Sequence, residues 1–347
     1  MKTRYVLSAL VAIAMTGAAQ AQTSVKLGVL NDRSGVYSDL TGEGSVIAAR
    51  MAAEDFKASE KGIKVDIVAA DHQNKPDIGA SIARQWYDQE GVDVILDVPT
   101  SSVALAVNGI AREKNKILIN SGGGTSDLTG SQCSPNTVHW TYDTWALANG
   151  TGGAMVKRGG DTWFFVTADY AFGHALERDT AALVTKAGGK IVGTVRHPFP
   201  GQDFASFLLQ AQSSGAKVIG LANAGGDFTN TMKQAAEFGI VQGGQSLAGL
   251  LVFITDVHSL GDRPQGAEEH IELRRGPHPL SLASPGRLKI ARPGQHCGSG
   301  GSAPQRFAGP LSRGDRDRGR QAPRLRRRGD RPALQLKQSP PHQSMMW

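Results

Sequence analysis

Ser101 and Ser102 stand where the extended run ending in Pro99-Thr100 gives way to a helical pattern. Hydroxyls at a helix start accept from unpaired backbone N–H groups, and the positive end of the helix dipole favours an anion, so a carboxylate could be held there without an arginine. Plain helix capping is the competing reading of both serines. Gly122-Gly123-Gly124 follows a strand pattern and suggests a phosphate cradle, but it lacks the G-x-G-x-x-G spacing and a following helix start, so no nucleotide site is expected. Tyr170 and Phe172 lie in a glycine-bounded loop after another strand pattern, which suits ligand contact better than core packing. Asp227 and Asp256 are acids that could pair with a ligand ammonium, or else cap helices or face solvent. His72, His139, His174 and His197 have no cysteine or carboxylate at metal-ligand spacing, and no Gly-x-Ser-x-Gly elbow is present. A metal centre, a cofactor and an enzyme activity are therefore not expected.

The formal charge of +7 invites a nucleic-acid or membrane partner. The basic surplus, however, sits past residue 260, and the body before it is acidic, so no nucleic-acid partner is expected. The segment 261–347 also holds most of the 16 prolines and shows no sustained helical or strand period. Runs such as Arg324-Leu325-Arg326-Arg327-Arg328 bury too little apolar area to offset ordering entropy. A reading frame shifted near Leu260 in a GC-rich gene accounts for this composition; a basic arm for polyanions is the rival reading. At the other end, Lys2 and Arg4, the apolar run Val6 to Met15 and Ala19-Gln20-Ala21 form a cleavable signal peptide over residues 1–21, predicting a soluble periplasmic product. Cys133 and Cys297 are the two cysteines. With the second in the aberrant tail, no disulfide is expected in the body.

The elements that must position the candidate residues alternate along 22–260. Strands are expected at Val25 to Leu30, Ile63 to Ala70, Val92 to Val98 and Ile117 to Asn120. Helices are expected near Gly44 to Phe56, Asp77 to Gln89 and Ser102 to Lys114. In the first helix Val46, Ala49, Ala53 and Phe56 share a face that should cover the sheet. After the segment Thr137 to Asn149 the alternation restarts, with strands at Trp163 to Thr167, Ile191 to Val195, Val218 to Ala222 and Leu247 to Phe253. The intervening helices lie near Gly173 to Lys186, Phe204 to Ser213 and Phe228 to Phe238. This predicts an α/β protein of two doubly wound parallel-sheet lobes, lobe 1 over 22–136 and lobe 2 over 137–260, with a cleft between them. Ligands of such sheets sit at the strands' carboxyl ends, which selects the loops after Leu30, Ala70, Val98, Asn120, Thr167 and Ala222.

Those loops carry a resemblance. Gly28-Val29-Leu30-Asn31-Asp32-Arg33-Ser34-Gly35, Pro99-Thr100-Ser101-Ser102, Asn120-Ser121-Gly122-Gly123-Gly124-Thr125, Asp169-Tyr170-Ala171-Phe172-Gly173 and Asn223-Ala224-Gly225-Gly226-Asp227 occur in order. Together they resemble the type I periplasmic binding proteins of the branched-chain amino acid (leucine/isoleucine/valine) transport class, from Val25 to about Leu260. The resemblance implies a solute-binding component of an ABC importer that closes on a small amino acid or carboxylic acid and docks on permease subunits. It further implies that Ser102, or Ser101 in the alternative register, and Thr125 hold the ligand's carboxylate and ammonium, with Gly123 as a backbone donor. An aromatic at Phe172 or Tyr170 would cover the ligand, and Asp256 matches an acidic position after the last strand. The usual Ser-Pro-Ala-Ala-Thr loop is Ser-Gly-Gly-Gly-Thr here, and Trp140, Tyr142 and Trp145 crowd the crossover, which suits a bulkier or aromatic acid. In the class the C-terminal part completes lobe 1, so the departure after Leu260 would leave that lobe short. A sensory ligand-binding domain and a non-functional product of a shifted frame are the alternatives.

Overall fold

A computed structural model describes residues 23–261. The expected signal peptide and basic tail lie outside these described residues. Nine strands and eight α-helices alternate within them. Strands β1 (Thr23–Asn31), β2 (Ile63–Asp71), β3 (Val94–Asp97), β4 (Ile117–Asn120) and β5 (Thr137–His139) form one sheet in the order β2-β1-β3-β4-β5. Strands β6 (Thr162–Ala168), β7 (Lys190–His197), β8 (Val218–Ala222) and β9 (Ser246–Gly249) form a second in the order β7-β6-β8-β9. Every pairing is parallel. The two doubly wound parallel sheets that the alternation predicts are therefore present, each with its strand order reversing at its first strand.

Helices α1 (Gly42–Asp55), α2 (Pro76–Asp88) and α3 (Ser101–Glu113) follow β1, β2 and β3. Helices α4 (Thr144–Lys157), α5 (Ala171–Lys186), α6 (Ala205–Ser213), α7 (Gly225–Glu237) and α8 (Ile254–Leu260) accompany the second sheet. The central strands β6 and β8 are buried on both faces and read as apolar runs, whereas the edge strand β7 alternates exposed with half-buried residues. Leu30, Val92, Ile95, Val103, Val107 and Leu118 centre the first core; Val166, Phe204, Leu208, Ile219, Leu221 and Phe228 centre one side of the second.

Several boundaries differ from expectation; the strand expected over Leu247 to Phe253 ends at Gly249, so Leu250 to Phe253 form the loop before α8. The first sheet reaches past residue 136, because Thr137–His139 pairs with β4. Helix α4 lies where no helical period was visible; Asp143 accepts from Ala146 N at 2.7 Å to cap it, and Gly152 packs against Thr180 and Val184 of α5. Finally, α1 ends at Asp55, so Val46 is buried as expected but Phe56 lies past the helix and is exposed, together with Ile47 and Met51. Cys133 is disulfide-bonded, against the expectation of an unpaired thiol; Cys297, the other cysteine of the sequence, lies outside the described residues.

Candidate functional site

The loops leaving the carboxyl ends of the strands converge on a cavity of about 260 Å³. From the first sheet, the β1 loop supplies Tyr37, Leu40 and Thr41, the β3 loop Pro99, and the β4 loop Ser121, Gly122 and Gly124. Thr141 and Tyr142 enter from the segment after β5. From the second sheet, the β6 loop supplies Tyr170 and Phe172, the β8 loop Ala224, and the β9 loop Leu251 and Phe253. This is where ligands of doubly wound sheets are expected, outside the strand ends at the point where the order reverses. Five of these residues are aromatic, and none carries a charge.

Each ring is fixed by what stands behind it. Asp32 is buried and accepts from Gly35 N at 2.7 Å, Tyr37 N at 2.8 Å and Asn74 Nδ2 at 2.6 Å, folding the β1 loop so that Tyr37 turns toward the second lobe. Tyr37 Oη lies 2.5 Å from Tyr170 Oη across the two lobes. Phe199 stacks on Tyr170 with ring centroids 4.0 Å apart, and Tyr37 tilts against it at 5.5 Å. Gly225 permits this approach. It has φ of +58°, and a Cβ there would lie 2.8 Å from Val36 O of the first lobe, so a side chain would push the loops apart. Gly124 is similar in kind: a Cβ would lie 3.0 Å from the Phe172 ring.

Charge is present only behind this wall. Asp97 accepts from Ser121 Oγ at 3.1 Å and Asn31 Nδ2 at 3.1 Å, and burial pushes its carboxyl above the usual carboxylate range. Burial likewise raises the Tyr37, Tyr142 and Tyr170 phenols, so all three stay protonated near neutrality.

Of the residues singled out in the sequence, Tyr170 and Phe172 line the cavity. The other six lie outside its lining. Ser101 is buried and its Oγ accepts from Thr125 N at 3.1 Å, tying the start of α3 to the glycine loop; Ser102 beside it is half-buried. Thr125 Oγ1 accepts from Asp127 N at 3.3 Å and so caps a short 3-10 turn. Gly123 is packed so closely that a Cβ would meet Asn120 Nδ2 and Val98 O at 2.9 Å. Asp227 is buried, accepts from Gly201 N at 3.0 Å through Oδ1, and leaves Oδ2 without a hydrogen-bond partner. Asp256 is spent on the start of α8, where Oδ2 accepts from Phe253 N at 2.8 Å. Tyr37, Tyr142 and Phe253 dominate the wall instead. Of these, Tyr142 announced itself in the sequence as part of the aromatic crowding after β5, Tyr37 sits in a loop with no periodic signal, and Phe253, expected at the end of a strand, lies in the loop after β9.

A family model described as periplasmic binding protein matches residues 24–268. The crystal structure of a periplasmic binding protein from Burkholderia mallei is 55% identical, with a TM-score of 0.67 over 69% of this chain and 63% of that one. A solute-binding protein of an ABC transporter from R. palustris, solved in complex with benzoate, is 25% identical, with a TM-score of 0.60 over 65% of this chain and 61% of its own. Among curated proteins, Leu/Ile/Val-binding protein homolog 6 of Brucella melitensis is 26% identical over 268 residues, 75% of this chain and 67% of its own length. The match thus spans less than two thirds of these solved relatives, and it stops close to where the periodic pattern of the sequence stops.

Proposed function

The chain belongs to the periplasmic binding protein family, type I, of the branched-chain amino acid class, and from that premise we propose that it is the solute-binding component of an ABC importer for a small aromatic carboxylic acid. The observation that carries this reading is the wall of five aromatic rings with no charged side chain among its lining residues. A flat ring is held well by aromatic faces and edges, with about 0.5–1.5 kcal/mol per favourable ring pair beyond area burial. The ammonium of an α-amino acid would meet no carboxylate on this wall. Asp227 and Asp256, the acids nearest to that role, are turned to Gly201 N and Phe253 N. The ligand carboxylate is assigned to the lining glycines Gly122 and Gly124 and Ser121 beside them, with the dipole of α3, whose start Ser101 ties to this loop through Thr125 N, favouring its charge from behind. Tyr170 and Phe172 close over the ring from the second lobe.

The role is binding and release rather than catalysis. Closure of two lobes about the solute and docking of the closed form on membrane permease subunits would deliver it from the periplasm, to which the signal peptide directs the chain. The test is thermal melting of the purified full chain with benzoate and with leucine, isoleucine or valine at matched concentrations. A ligand at 100 times its Kd stabilises by about 2.7 kcal/mol. A rise in Tm with benzoate and none with the amino acids is expected. A rise with leucine alone would overturn the aromatic-acid reading.

A further inference from the structure

The Tyr37–Tyr170 contact carries more protons than it uses. Each phenol brings one O–H, and the single bond between the two oxygens at 2.5 Å consumes one of them. The accepting oxygen keeps its own O–H, and no other acceptor is found for either phenol among the described residues. Both tyrosines line the cavity, so the surplus donor belongs to its wall. A buried O–H without an acceptor costs about 1–3 kcal/mol, which a solute oxygen placed there would recover. The charge of that oxygen is restricted. Burial raises both phenols, and Asp227 beside both and Asp32 beside Tyr37 raise them further, so an anionic oxygen, which carries the phenolate's charge, is disfavoured at the pair. The carboxylate of the solute therefore belongs at the glycine loop, away from this pair.

We infer that the Tyr37–Tyr170 pair donates its second O–H to an uncharged oxygen on the ring of the solute, and so selects hydroxy- or carbonyl-bearing aromatic acids over their unsubstituted or methylated analogues. This rests on the aromatic-acid reading above and adds the far end of the ligand to it. The pair spans the two lobes, so a solute oxygen bonded there also joins them, and recognition and closure share one contact.

The experiment is isothermal titration of the full chain with benzoate, 3-hydroxybenzoate, 4-hydroxybenzoate and 4-methylbenzoate, repeated on the Tyr37→Phe/Tyr170→Phe double variant. At least one hydroxybenzoate should bind about 10-fold more tightly than 4-methylbenzoate, the size of one net hydrogen bond. The Tyr37→Phe/Tyr170→Phe double variant, which removes both O–H groups and keeps both rings, should erase that preference, bringing the hydroxybenzoate and 4-methylbenzoate Kd values to within about 2-fold of each other. Equal losses for benzoate and the hydroxybenzoates would overturn the inference, leaving the pair as a clasp between lobes only. A wild-type chain that binds 4-methylbenzoate as tightly as both hydroxybenzoates would overturn it without any variant. Binding of none of the four acids would instead overturn the ligand reading on which the inference stands.

Discussion

Among the described residues, two polar contacts of unlike chemistry join the lobes. At the cavity, Tyr37 meets Tyr170 and Phe199 through rings and one phenol–phenol bond, with Asp227 behind holding the loop that carries Phe199. Away from it, α5 presents Arg178 and Asp179 to Ser126 and Asp127 of the first lobe. Asp179 Oδ2 accepts from Ser126 Oγ at 2.7 Å and from Thr144 Oγ1 at 2.6 Å, and its Oδ1 accepts from Arg178 Nε at 3.0 Å. Arg178 also reaches Asp127 at 3.2 Å. The first contact buries its ionisable group with one partner and one orphaned oxygen; the second gives its carboxylate three donors. The same residue type is thus a liability at one contact and an anchor at the other, because hydrogen-bond satisfaction, not charge, decides the sign.

The largest effect expected from this difference is a pH dependence at Asp227. Burial pushes its carboxyl up to about 7, and His197 Nδ1 stands 3.9 Å away without bonding to it, donating instead to Pro198 O at 2.9 Å. Tyr37 and Tyr170 are the other titratable groups that face it, and burial keeps both protonated. A raised acid favours the protonated native state. The stability it contributes is fully present below the unfolded value near 3.9 and is lost as pH rises through about 7. The loss amounts to roughly 4 kcal/mol at most. Asp227→Asn keeps an acceptor for Gly201 N and removes the titration, so its Tm relative to wild type should climb from pH 5 to about pH 7 and level off by pH 8. Taking the difference between the two proteins cancels most of the opposite trend from His72 and His197, whose burial lowers their pKa and costs stability on acidification. A flat difference across that range would mean that Asp227 is solvated in solution and that the two contacts are alike.

Next in size is Asp179→Ala. It strands the buried Thr144 hydroxyl and unties Ser126 from α5, a loss of about 2–3 kcal/mol, or roughly 5–10 °C in Tm for a body of this length. Asp179→Asn, which keeps an acceptor, should lose about half as much. Equal losses from the two variants would place the energy in the charge and not in the hydrogen bonds.

How far the sequence foretold these contacts divides along the same line. The parallel sheets were legible because central strands such as Val218–Ala222 write unbroken apolar runs, and edge strands such as Ile63–Asp71 still carry β-branched residues between amphipathic helices. Strand β5 was not, since three residues, Thr137–His139, carry no period, and α4 hid its period behind Gly150, Gly152 and Gly153. Tyr170 and Phe172 stood out as aromatics at a strand's carboxyl end. Tyr37 did not, because its place in the wall depends on Asp32 folding the β1 loop and on Gly225 admitting that loop to the second lobe. The acids were open to two readings for a related reason: Asp256 sits three residues after Phe253 at a helix start, a spacing as suitable for the cap it forms as for a ligand ammonium. Local patterns report elements, and a cavity between lobes is made by approaches with no local pattern.

The smallest effect expected is at Arg178, whose side chain is 51% exposed although it bonds to Ser126, Asp127 and Asp179. Exposed ion pairs return about 0–1 kcal/mol, and at 1 M salt the screening length falls to about 3 Å. Arg178→Gln should therefore lower Tm by no more than about 3 °C at low ionic strength and leave it nearly unchanged in 1 M salt. Asp179→Ala should keep most of its larger loss in the same salt, since buried hydroxyl–carboxylate bonds are poorly screened. If the two variants instead lose stability equally and salt abolishes both losses, the α5 contact is a surface ion pair. The phenol pair at the cavity would then be left as the principal polar join between the lobes, and closure would depend on the solute all the more.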